Sequence, residues 1–143
     1  MKEFKLPGIL EKHREYLAST LQPSNRLKFT LQETLPWESK LGGCPYMEDI
    51  SQYPKDENGA PTVFLAQINL SEMPPLPDFP TEGLLQFYIA NDGIFGLNGW
   101  KVVYIPQYTK DSSRLLAENP YRDDYKEGEP FEKCGRIFFR QEM

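Results

Sequence analysis

Histidine is almost absent from this chain, cysteine is scarce, and no long apolar run exists. The only histidine is His13, so a Ser-His-Asp triad or a His-based metal site has one candidate donor, in an unsuitable place. His13 itself falls on the apolar stripe of an N-terminal helix, where a packing or surface role is expected. The two cysteines, Cys44 and Cys134, are far apart and lack a C-x-x-C or Cys/His pattern, so free thiols in a reducing compartment are expected. The start, MKEFKLPGILEKHREYL, interleaves charges with apolar residues and matches neither a secretory signal nor a membrane span. A cytoplasmic location is expected. Basic residues are also in deficit, with 16 against 21 acidic ones and a formal charge of −5, which removes the electrostatic footprint that a nucleic-acid partner requires.

What is present suits a single domain that folds unaided. The chain has 143 residues, 39% of them apolar and 13% aromatic, enough to build a core without disulfides or metals. Thirteen prolines imply many turns and few long helices.

The periodicity of apolar residues predicts the elements. Leu6, Ile9, Leu10, His13, Leu17 and Leu21 recur at helical steps, with Pro7 in the first turn and Pro23 beyond the end. Leu27, Phe29 and Leu31 alternate with Lys28, Thr30 and Gln32, a strand over about residues 26–34. Ser39 to Tyr46, with its paired glycines and Pro45, reads as a shaped loop outside regular structure. Thr62 to Leu70 is the strongest strand; parity puts Phe64, Ala66, Ile68 and Leu70 in the core and Val63, Leu65, Gln67 and Asn69 on a second face that turns from apolar to amide. Residues 71–82 carry four prolines and form an extended connection. Leu84 to Ile89 is a strand with Leu85, Phe87 and Ile89 inward. Trp100 to Ile105 and Gly135 to Arg140 complete the set, with a short helix after Asp111 and a charged loop from Pro120 to Pro130. The fold class is α+β: an N-terminal amphipathic helix and a mainly antiparallel sheet of about five strands. The chain ends soon after an aromatic strand, so the reading expects an incomplete C-terminus and an exposed strand edge through which copies associate.

No group stands out for catalysis. Cys44 follows two glycines but lacks a base, and the acidic pairs Glu48-Asp49, Asp56-Glu57 and Asp123-Asp124 read as solvated loop charge. The calcium-like Asp56-Glu57-Asn58-Gly59 lacks the alternating ligands of a calcium loop. No metal or other cofactor is expected. The remaining feature is a patch of Gln67, Asn69, Gln86 and Tyr88 beside Gly42, Gly43 and Tyr46, whose neutral hydrogen-bonding groups suit a protein partner or a small polar ligand. The bland alternative is a half-solvated sheet face. Two functional expectations follow. The first is a binding or interaction module using the Gly-Gly loop and the amide face. The second is a hydrolase or transferase for a small polar substrate, with Cys44 or Asp92 acting beside Gln67.

Three ordered blocks, Ser39-Lys40-Leu41-Gly42-Gly43 with Pro45-Tyr46, Phe64 to Leu70, and Leu84 to Ile89 followed by Asp92, resemble the YwqG-like family of bacterial proteins, a domain of unknown function. The resemblance implies an α+β fold with a substantial antiparallel sheet, and a match mainly to the family's N-terminal half. It implies no reaction or cofactor, and it directs attention to the Gly42-Gly43 loop and Gln67.

Overall fold

Alternating and β-branched residues produce strands here, and the prolines between them produce long irregular connections. The computed structural model describes residues 5–126 and 134–142. Six strands, β1 (Ser24–Leu31), β2 (Lys40–Leu41), β3 (Val63–Asn69), β4 (Leu84–Ile89), β5 (Trp100–Ile105) and β6 (Gly135–Glu142), form one sheet in the order β1-β6-β2-β3-β4-β5. Every pairing is antiparallel. The α+β class is as expected, and β2 is the additional strand. Its Lys40 and Leu41 lie within the segment read as irregular, where they bridge β3 and β6 before the glycines end the pairing.

The N-terminal segment is helical but divided, with a 3₁₀ stretch over Gly8–His13 followed by α1 (Arg14–Ser19). Neither buries a residue. So short a helix with an exposed stripe has little packing to extend it. Asp111 caps the expected short helix, accepting from Ser113 N–H, but only Ser112–Arg114 is helical. The charged loop contains a 3₁₀ turn over Arg122–Asp124, and its residues from 127 onward lie outside the described residues.

Phe64 and Leu70 are buried as parity indicated, but for β4 and for β3 beyond Leu65 the covered side is the reverse of the one expected. Residues paired directly across antiparallel strands share a face, so the register Lys40↔Gln67↔Gln86 and Phe64↔Tyr88 places these five on one side. That side is buried: Phe64, Tyr88, Met47 and Tyr53 form the core cluster, with Val103, Leu116 and Tyr121 against it. A register shift between Phe64 and Ala66 breaks the two-residue period at Leu65, so Phe64 and Gln67 point the same way. Ala66, Ile68, Leu85, Phe87 and Ile89 lie on the opposite, half-buried side. Chain from 36 to 54 and from 108 to 125 lies over the core side, and the carbonyls of residues 36, 37, 38 and 46 with the Tyr108 hydroxyl supply the polar partners that let amides be buried there.

Candidate functional site

The structure brings Gln67, Asn69, Gln86, Tyr88 and Tyr46 together and turns their polar atoms toward the chain itself. Gln67, with 0% of its surface exposed, accepts through Oε1 from Tyr46 N–H at 2.9 Å and from Gln86 Nε2 at 2.9 Å. Its Nε2 donates to the carbonyls of Pro36 at 2.9 Å and Glu38 at 3.0 Å. A neutral carboxamide has two donor hydrogens and two lone pairs, so the capacity of Gln67 is filled. Gln86 Nε2 also donates to Tyr46 O at 2.8 Å, and Gln86 Oε1 accepts from Tyr88 OH at 2.9 Å. Asn69 Nδ2 donates to Trp37 O and Tyr108 OH, while its Oδ1 accepts from Ser71. The expected amide wall open to a ligand is therefore an internal clamp on the 36–46 loop. Burial without such partners would cost about 1–3 kcal/mol for each orphaned group.

An open space exists on the far side of that loop. A cavity of about 860 Å³ is lined by Gly43, Lys40, Cys44, Phe64 and Cys134 on the sheet side and by Glu118, Asn119 and Arg122 on the other. Gly42 is buried and donates its N–H to Leu65 O at 2.8 Å. Gly43 is exposed at the cavity with φ +74°, a conformation that side chains resist. A Cβ there would also lie 2.9 Å from Cys134 Sγ, so glycine satisfies two constraints at once.

Lys40 is the residue that sequence reasoning missed. It was visible only as part of a loop; its meaning depends on pairing with both Gln67 and Arg136, which draws it into the core side. Its side chain is nearly sealed, with 2% of the residue exposed, and Nζ donates to Cys44 O at 2.9 Å. Among the described residues no carboxylate forms an ion pair with it. The nearby Glu38 and Glu72 are both paired with Arg136, Glu38 at 3.0 Å. Burial holds the Lys40 amine below the usual lysine range, since the charged form loses its hydration there.

Burial pushes the Cys44 thiol up to about 11, with only partial relief from Lys40. Its Sγ contacts the Pro45 and Leu116 carbonyls. Asp92, the carboxylate considered for catalysis, belongs to its own loop. Its limited burial opposes ionisation, but the N–H groups of Asn98, Ile94 and Gly96 prevail and hold it below the usual range. His13 is exposed on the N-terminal helix. No cluster of His, Cys, Asp or Glu suited to a metal occurs among the described residues.

The fold and site together define a small α+β domain on an antiparallel sheet, with a loop clamped over buried amides beside a polar cavity. The model of one family, a domain of unknown function (DUF1963), matches residues 39–142, and the chain belongs to that family. A search of curated proteins finds none that matches. The clamping side chains and Lys40 lie inside the matched region, whereas residues 36–38 of the clamped loop, β1 and the N-terminal helix precede it. No helix among the described residues is long and apolar enough to cross a membrane.

Proposed function

We propose that this chain is a binding module whose ligand is a small molecule carrying a carboxylate or phosphate, held in the cavity beside Gly43 with its anionic group on Lys40. The single observation that carries this is a buried lysine facing a cavity without a carboxylate partner among the described residues. Buried cations in proteins are paired or neutralised, and an anionic ligand would supply the missing charge. Gly42 and Gly43 shape the rim, while Gln67, Asn69, Gln86, Tyr88 and Tyr46 hold the loop that forms it. The YwqG-like affiliation and a cytoplasmic setting fit this reading, the latter because both cysteines are free thiols. A nucleophilic role for Cys44 has less support, since a thiol titrating near 11 is thiolate in only about one molecule in ten thousand at neutral pH.

Titration calorimetry and thermal-shift measurements with inorganic phosphate, oxalate and small monocarboxylates test the reading. At least one of these anions is expected to raise the melting temperature of the wild type, and Lys40→Met is expected to abolish that response. A folded Lys40→Met variant that binds the same anion with unchanged affinity would remove the basis of the proposal.

A further inference from the structure

A second surface, on the opposite side of the sheet from Lys40, has the composition of an interface. The loop between β4 and β5 is organised from within by the three backbone N–H groups on Asp92. It lies against the sheet so closely that a Cβ on Gly96 would sit 2.5 Å from Ile89 Cβ. That close seating turns the flanking residues outward: Phe95 is 80% and Leu97 82% exposed. Phe95 is also held at φ +58°, a backbone region that a bulky residue seldom adopts. Trp100, which is 74% exposed, continues the surface onto β5, followed on the same face by Val102 and Tyr104.

Three features of this surface point to one occupant. First, β5 is an edge strand among the described residues, and an edge offers unpaired backbone groups to another strand. Second, the only charged side chain between residues 93 and 105 is Lys101, so the net negative charge of the chain does not act locally against a like surface. The other edge, β1, carries Arg26 and Lys28, the kind of charge that keeps an edge from pairing. Third, the area is sufficient. With about 150–250 Å² for a large side chain, Ile94, Phe95, Leu97, Trp100, Val102 and Tyr104 leave on the order of 700 Å² exposed, close to the ~800 Å² per partner of a stable interface. An antiparallel pair of identical strands is self-complementary about a two-fold axis.

We propose that β5 and the apolar loop preceding it bind a second copy of this chain, β5 pairing antiparallel with its two-fold mate and Phe95, Leu97 and Trp100 packing across the junction. The contact is separate from the Lys40 cavity and stands whether or not an anion binds there.

Sedimentation velocity of the full 143-residue chain over a dilution series in the micromolar range tests it, with hydrogen exchange followed in parallel. The wild type is expected to sediment as a dimer. Its β5 amides should lose protection on dilution while those of β3 keep theirs. Leu97→Glu and Trp100→Glu are expected to give folded monomers, and Phe29→Glu on β1 a dimer. A wild type that stays monomeric would overturn the proposal. So would a dimer that survives Leu97→Glu combined with Trp100→Glu, or one that is dissolved by Phe29→Glu. Should the glutamate variants fail to fold, the dilution dependence of β5 protection in the wild type decides alone: protection that is independent of concentration overturns the proposal.

Discussion

Replacing Gln67 with leucine tests whether the amide clamp is structural. The side chain is sealed and makes four hydrogen bonds, to Tyr46 N–H, Gln86 Nε2, Pro36 O and Glu38 O. Leucine keeps most of the volume and removes all four. Gln86 Nε2 retains the Tyr46 carbonyl, but the Tyr46 N–H loses its side-chain acceptor and the two loop carbonyls lose this donor. Taken in the lower half of the roughly 1–3 kcal/mol per orphaned group, since leucine fills most of the volume, the three groups give a loss of roughly 3–5 kcal/mol, a large share of the ~5–15 kcal/mol that stabilises an ordinary domain. For a chain of this size that corresponds to a fall in melting temperature of roughly 10–20 °C. Urea denaturation followed by circular dichroism would measure it. The companion variant Gln86→Leu should be strongly non-additive with Gln67→Leu, because the two amides share a bond. A Gln67→Leu protein within about 0.5 kcal/mol of wild type, the range of an ordinary surface change, would refute the reasoning.

Other predictions follow from the cavity. Lys40→Met, which replaces a desolvated amine with an apolar side chain of similar length, should be neutral or stabilising in denaturation experiments without added anion. The folded pKa of Lys40 lies below its ordinary value of 10.5, so between the two the unfolded chain binds more protons and the Lys40 contribution to stability rises with pH. Cys44 acts oppositely: its folded value of about 11 exceeds the ordinary value of 9.0, so its contribution is present below 9.0 and is lost as pH rises toward 11. Denaturation at several alkaline pH values with Lys40→Met and Cys44→Ser should separate the two slopes. In a Cys134→Ala background, alkylation of Cys44 by iodoacetamide should be slow at neutral pH and accelerate with a midpoint near 11; a midpoint near 8 would show that the thiol is not desolvated. Gly43→Ala should cost about 1–2 kcal/mol from its backbone conformation alone. It should cost less in the Cys134→Ala background, where the sulfur facing the new methyl is gone.

Local pattern made most of the sheet readable. The strands at 63–69, 84–89, 100–105 and 135–142 were all expected within a few residues, because alternation and bounding turns are encoded in the strands themselves. The core face was misassigned because its determinants are not local. The irregularity at Leu65 shifts the phase of β3 by one residue, and the cover that makes amides tolerable inside comes from carbonyls of residues 36, 37, 38 and 46. Gln67, Asn69, Gln86 and Tyr88 were rightly grouped, since neighbouring strands bring them together, but whether they faced solvent or protein depended on a loop whose path sequence periodicity does not describe. Lys40 escaped notice for a related reason. Two residues are too few to show a strand period, and only the strands on either side draw its side chain inward.

The strand order also governs the timing of folding. β1 is made well before β6, its one neighbour among the described residues, and Ser24 is joined to a residue 118 positions further along. Until β6 has been made, Leu27, Phe29 and Leu31 have no strand among the described residues to dock on. Closure of the sheet at β1 and β6 is therefore a long-range step, slow relative to the β3-β4-β5 meander.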